Sequence, residues 1–273
     1  MKAKIAVTQF EIKQFSPGEN LEKAEKFIQR AAALEAHVIV FPEYFVTGLI
    51  WGKKEFVDFK GNYRKHFQNL ARKFSIDIVA GSIVEGDAYG WFNTTYYIDS
   101  KGKISGVYRK VNLWLPEERY LTPGNEIAVF NTKYGRAGLI ICWDLIFPEI
   151  FRRMTNRGVS IVYCPSYWCR EDAGIGLKYD RDAEIKSVNS LCISRAFENE
   201  IILVHASGAG KSEFGRISHE LVGNSQIAVP FKGAIKRLDH NKEEIFIQEI
   251  DTSILRDAER AYKIRADLKK RVL

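Results

Sequence analysis

Short, almost uninterrupted apolar runs that stop at a chemically active side chain constrain this chain most. Val38-Ile39-Val40-Phe41 leads through Pro42 into Glu43, and Leu139-Ile140-Ile141 leads into Cys142. Such runs read as buried strands, because a strand covered on both faces needs no polar alternation. Lys110 is placed alike, directly after Ile104-Ser105-Gly106-Val107-Tyr108-Arg109. If these strand ends converge, a carboxylate, an ammonium and a thiol share one cleft. That set suits attack by sulfur on an amide-like carbon.

Around these runs, strand and helix patterns alternate. Residues 4–10 read as a strand, and Ser16-Pro17-Gly18-Glu19 then offers an N-cap, a proline at the first helical position and a reciprocal glutamate. Leu21, Ala24, Phe27, Ile28, Ala31 and Leu34 fall on one stripe of the helix that follows. Strands are expected at 37–41, 76–84, 94–99 and 103–108, with a helix over 55–74 and a turn at Ser100-Lys101-Gly102. Residues 127–131 and 136–142 read as a hairpin around Lys133-Tyr134-Gly135. A helix over 147–156 opens at Pro148 and closes at Gly158. Then come a strand at 159–164, a helix over 180–197, a strand at 201–205 and a Gly- and Ser-rich loop over 207–224. Strands at 226–230 and 244–250 precede a basic amphipathic helical tail over 252–273. No linker or change of composition divides the chain, so residues 1–273 read as a single domain. The order calls for an α/β protein with mixed sheets and outer helices; two packed sheets and one doubly wound sheet fit the pattern equally.

Composition narrows the function classes. The net charge of +7, from 41 basic and 34 acidic residues, is dispersed apart from Lys263, Arg265, Lys269, Lys270 and Arg271. No nucleic-acid-binding motif accompanies it, so it reads as a solvated basic surface and nucleic acid is not an expected partner. Cys142, Cys164, Cys169 and Cys192 make no paired-cysteine or zinc-like spacing. No metal or cofactor is expected, and the last three cysteines read as structural. With no secretory segment after Met1 and no long apolar run, the expected location is the cytoplasm, with reduced thiols and no membrane contact.

Three motifs go further. Phe41-Pro42-Glu43 is followed by Thr47-Gly48, then come Tyr108-Arg109-Lys110-Val111-Asn112-Leu113 and Leu139-Ile140-Ile141-Cys142-Trp143-Asp144 with Phe147-Pro148-Glu149. Val7-Thr8-Gln9, Leu121-Thr122-Pro123-Gly124, Ser194-Arg195-Ala196-Phe197-Glu198-Asn199 and Gly223-Asn224-Ser225-Gln226 extend the pattern over nearly the whole chain. On these residues the chain resembles the nitrilase superfamily, the carbon–nitrogen hydrolases. The resemblance implies a four-layer α-β-β-α sandwich with two mixed sheets, paired through helices into homodimers or higher homo-oligomers. It implies Glu43 as general base, Lys110 as the cation that holds an oxyanion, and Cys142 as nucleophile. A second glutamate usually follows the lysine motif. Glu117 and Glu118 both fall there, and Glu117 matches better by its separation from Lys110 and from Pro123-Gly124.

These residue types fit one reaction. A cysteine is mostly thiol near neutrality and needs a base to become an effective nucleophile. Burial would raise the Glu43 carboxyl toward the working range, and Lys110 would oppose that rise. The expected substrate is a small amide or N-carbamoyl amine, hydrolysed through a thioester. Tyr44, Trp114, Trp143, Tyr167 and Trp168 are candidate pocket walls, since small-molecule sites are mostly apolar. Asn112 stands where many relatives have histidine. Trp143-Asp144 resembles amidase and carbamoylase branches more than true nitrilases. A nitrilase working through a thioimidate and a catalytically silent binding module are the alternatives.

Overall fold

A computed structural model of the chain describes residues 2–214 and 217–270, with the backbone alone at Phe214 and Ile217. Met1, Arg271 of the basic cluster and the end of the expected tail at 271–273 lie outside the described residues. The first half runs β1 (Lys2–Glu11), α1 (Pro17–Ala33), β2 (Val38–Val40), α2 (Asn62–Phe74), β3 (Asp77–Val79), β4 (Ile83–Asp87), β5 (Gly90–Ile98) and β6 (Ile104–Arg109). Next come β7 (Ala128–Thr132), β8 (Gly135–Leu139), α3 (Pro148–Asn156), β9 (Ile161–Ser166), α4 (Ala183–Glu198) and β10 (Ile202–Ala209). The chain continues through β11 (Lys211–Phe214), β12 (Ile217–Glu220), β13 (Gln226–Val229), β14 (Gly233–Arg237), β15 (Glu244–Asp251), α5 (Ser253–Tyr262) and α6 (Ile264–Lys270).

Alternation within the strands decides how the layers stack. β1, β2 and β3 are parallel, β15 lies antiparallel to β1, and β5 is antiparallel to β3, β4 and β6. The second sheet is parallel through β8, β9 and β10, with antiparallel partners β7 on one edge and β13 and β14 on the other. The two sheets meet where Phe10 and Glu11 pair with Gly208 and Ala209. Ile5, Val7, Val38 and Val40 share one buried cluster with Ala137, Leu139, Ile161 and Leu203 of the second sheet. Ala6 and Ile39, on the opposite face, join Ala24, Ile28, Phe67 and Leu70 of α1 and α2. Phe151 and Met154 of α3 and Val188 and Cys192 of α4 cover the second sheet. Helices, sheet, sheet and helices make the α-β-β-α sandwich, with two packed sheets rather than one doubly wound sheet.

Tertiary contacts change several local readings. The stretch 207–224, whose residues 215–216 lie outside the described residues, is not one continuous loop: β10 runs on to Ala209, and β11 and β12 then pair antiparallel. Its small residues reflect crowding, since a Cβ on Gly208 would lie 2.9 Å from Leu221 Cδ1. The expected strand 76–84 is two strands, because Gly81 turns the chain with φ +52. The helix expected from 55 starts at Asn62, where the Asp58 carboxylate accepts the N–H groups of Asn62 and Tyr63 at 2.9 and 2.8 Å. Ser16 makes no side-chain cap; Asn20 Oδ1 accepts the Lys13 N–H instead, at 3.0 Å, and Glu19 pairs with Lys13. The C-terminal helix breaks at Lys263, with φ +57, into α5 and α6. β14, Gly-Ala-Ile-Lys-Arg, lacks a clear strand pattern and has no counterpart among the expected strands.

Candidate active site

Strand geometry delivers Cys142 to the cleft. β8 ends at Leu139, yet the Ile140 N–H still donates to the Tyr163 carbonyl at 3.1 Å. Cys142 then takes φ +47 and opens a one-turn helix, Cys142–Ile146. The left-handed conformation costs a residue with a Cβ roughly 1–2 kcal/mol and persists only where the surroundings impose it. Asp144, fully buried, imposes it here. Its Oδ2 accepts the Ile141 N–H at 2.9 Å and the Tyr108 hydroxyl at 2.8 Å. Its Oδ1 accepts both the backbone and side-chain N–H groups of Asn112, at 2.9 and 2.8 Å. Arg195 of α4 holds the other end of the turn, donating to the Leu145 and Ile146 carbonyls at 3.0 and 2.7 Å. The Cys142 thiol donates to the Tyr167 carbonyl at 3.6 Å.

Glu43 stands just beyond β2, before Tyr44, which takes φ +55. Its Oε1 accepts Lys110 Nζ and Asn93 Nδ2, both at 2.8 Å, and its Oε2 accepts the Tyr167 N–H at 2.9 Å. Lys110 Nζ also lies 2.8 Å from Glu117 Oε2. Glu117 accepts the Trp114 N–H at 2.7 Å and the Tyr44 hydroxyl, with the Asn93 amide at 3.3 Å. Glu118 is exposed, so Glu117 is the glutamate that enters the cluster.

Burial sets the protonation states. Glu43 and Glu117 are 1% exposed and Lys110 2%. Loss of water pushes the Glu43 carboxyl up to about 7; Lys110 opposes the rise and Glu117 adds to it. Burial alone would lower the Lys110 pKa, but the Glu117 and Glu43 carboxylates outweigh it and hold the ammonium well above its usual range. Burial, reinforced by Glu43, holds the Cys142 thiol well above its ordinary value. Near neutrality the resting proton therefore sits on sulfur, Lys110 is charged, and Glu43 is poised to accept a proton.

Glu43, Lys110, Glu117 and Cys142 border one narrow cleft with Tyr44, Trp114, Trp143, Tyr167 and Trp168, so the structure brings all the expected site residues together. The free space is about 20 Å³, room for about one water, so an acyl group enters only as side chains shift. Trp143 and Trp168 lie 5.5 Å apart, and Tyr44 meets Tyr167 edge to face at 6.0 Å. Trp168 Nε1 donates to Glu184 Oε2 of α4 at 2.5 Å.

Sequence reasoning missed Asn93, whose amide reaches both carboxylates. Its one signal was a polar triplet, Asn93-Thr94-Thr95, inside an apolar strand, all three residues buried. Trp51, Cys169, Asp172, Ser212 and His219 also border the cleft, from loops and the β11–β12 hairpin. Among the described residues, no group of three or more His, Cys, Asp or Glu side chains is placed to hold a metal, and no helix is long and apolar enough to cross a membrane.

The model of the carbon–nitrogen hydrolase family matches residues 4–260. A probable nitrilase of Schizosaccharomyces pombe is 30% identical over 259 residues, 92% of this chain and 89% of its own. A 2-oxoglutaramate amidase of Bacillus subtilis is 28% identical over 99% of both chains. The crystal structure of Nit3 from Saccharomyces cerevisiae, a member of branch 10 of the nitrilase superfamily, superposes with a TM-score of 0.82 at 26% identity. That superposition covers 96% of this chain and 94% of Nit3. With the match running through both sheets and every motif, this chain belongs to the carbon–nitrogen hydrolases of the nitrilase superfamily.

Proposed function

We propose that the chain hydrolyses a small amide or N-carbamoyl amine through a thioester on Cys142. The observation that carries this reading is the buried convergence of Glu43, Lys110 and Glu117 beside the Cys142 thiol. Glu43 takes the thiol proton as Sγ bonds to the carbonyl carbon. The resulting oxyanion is held by the Lys110 ammonium and the backbone N–H of Trp143, an amide in the first turn of a helix, where N–H groups lack intrahelical partners. One such donor lowers the barrier by about 3 kcal/mol. The proton on Glu43 passes to the leaving nitrogen, the C–N bond breaks, and ammonia or an amine departs. Glu43 then accepts a proton from water as that water attacks the thioester, and the proton returns to sulfur as the acid leaves. Glu117 acts as a positioning residue: with Asn93 it fixes Lys110 and Glu43 and adds negative charge that keeps the Glu43 pKa high.

The relatives include a full-length match to an amidase as well as a probable nitrilase, and Trp143-Asp144, which resembles the amidase and carbamoylase branches, favours amides over nitriles. Ammonia release from a panel of amides, N-carbamoyl amines and nitriles, run on wild type and Cys142→Ala, tests the reading. Release from an amide or N-carbamoyl amine that disappears in Cys142→Ala supports it. Release confined to nitriles moves the reaction to a thioimidate, and no release with an alkylation-resistant Cys142 makes the chain a silent binding module. Pairing into a homodimer, implied by the family resemblance, is part of the proposal. It draws support from Phe197, Phe231 and Tyr262, whose rings pack together while 42%, 50% and 44% exposed.

A further inference from the structure

The charges that border the cleft are unbalanced. Lys110 is the one lysine or arginine bordering it among the described residues, and Glu43 and Glu117 already claim its ammonium at 2.8 Å each. No guanidinium or second ammonium there can receive a carboxylate at the far end of a substrate. Asp172, by contrast, borders the cleft with its Oδ2 anchored by the Cys169 N–H at 2.8 Å. Its neighbour Arg170 is engaged by Asp182 and Glu220, at 2.5 and 3.4 Å. Asp172 and Cys142 border the same narrow cleft as the aromatic residues Trp143, Tyr167 and Trp168. Aromatic faces carry negative potential and attract ammonium groups, most strongly where water is excluded.

We propose that this part of the cleft is a cation subsite: the amide or N-carbamoyl compound taken by the enzyme carries a protonated amine, held by Asp172 between aromatic walls. The assignment rests on the reaction proposed above for the choice of amide, but the charge preference stands on the lining alone. Burial pushes the Asp172 carboxyl up to about 7, and the carboxylates of Glu184, Glu171 and Glu43 add to the rise. A bound ammonium relieves that repulsion and draws Asp172 into its charged form. An amide ending in a carboxylate would meet the same carboxylates with Lys110 already claimed and, among the described residues, His219 the one other basic side chain on the lining.

Thiol-directed reagents test the charge without requiring turnover. Methanethiosulfonates bearing ethylammonium or ethylsulfonate are followed on the Cys142 peptide by mass spectrometry, each rate divided by its rate with a small free thiol. The protein's net charge of +7 favours the anionic reagent at long range, so a preference for the cation can arise only inside the cleft. The expected result is about tenfold faster capture of the ethylammonium reagent. That preference should fall to about twofold or less in Asp172→Asn, which retains an acceptor for the Cys169 N–H. Equal rates or a sulfonate preference in wild type, or an undiminished cation preference in Asp172→Asn, overturns the proposal. Ammonia release from uncharged amides tests the hydrolase reading separately, so the two can fail independently.

Discussion

Glu43 sits where burial and a neighbouring ammonium pull its carboxyl in opposite directions. It is buried and hydrogen-bonded to Lys110, Asn93 and the Tyr167 backbone, and its carboxyl still lies near 7. In the proposed mechanism the working form is the carboxylate, so kcat/KM should rise as pH increases through about 7 and level off above it. Lys110, held well above its usual range, stays charged across that window. Glu43→Gln should lower kcat by about 10²–10⁴-fold and remove the acidic limb, as a pH–rate profile would show. Asn93→Ala removes a hydrogen bond to the charged form of Glu43, so the limb should move to higher pH by about one unit, the worth of one such bond. An unmoved limb would mean that Asn93 does not act through Glu43. Glu43 and Cys142 were legible in the sequence because each ends a local apolar run, and Lys110 through the motif Tyr108-Arg109-Lys110-Val111-Asn112-Leu113. Asn93 was not, because the polar triplet Asn93-Thr94-Thr95 in β5 points to no function until its partners from distant strands are known.

At the scale of elements, the site depends on turns that the strands alone do not specify. Asp144 ties the Cys142 turn to Tyr108 of β6 and to Asn112 beyond it through three accepted hydrogen bonds, and a fourth, from the Ile141 N–H, closes the turn itself, which explains a buried aspartate two residues after Cys142. The Glu43 turn leans on Gly81, where a Cβ would lie 2.1 Å from the Pro42 carbonyl oxygen and 2.5 Å from Phe45 Cδ1. Gly81→Ala should therefore destabilise the protein by about 2–4 kcal/mol, combining left-handed strain with overpacking, as chemical denaturation would measure. A change under about 0.5 kcal/mol would contradict this tight contact. Parallel strands and the α1 stripe were legible from local pattern. The end of β10 was not, since Gly208 and Gly210 look like loop residues until Leu221 and Glu11 crowd them.

For the whole molecule, element order left two packed sheets and one doubly wound sheet open, the resemblance carried by the ordered motifs implied the four-layer sandwich, and the packing of the two sheets bears it out. The exposed rings of Phe197 on α4, Tyr262 on α5 and Phe231 in the β13–β14 turn form an apolar patch that, in the proposed homodimer, a second copy would cover. Sedimentation equilibrium should give twice the chain mass of 31.3 kDa for wild type and a shift toward a single chain for Phe197→Glu. A wild-type monomer would remove the pairing proposal and leave the chemistry intact. The central claim, a thioester on Cys142, is tested most directly by rapid-quench intact-mass spectrometry during turnover of a small amide. The account predicts a transient mass increase equal to the acyl group, mapped to the Cys142 peptide and absent from an inactive Cys142→Ala. Sustained amide hydrolysis by Cys142→Ala, with no acyl mass on the wild-type chain, would contradict it.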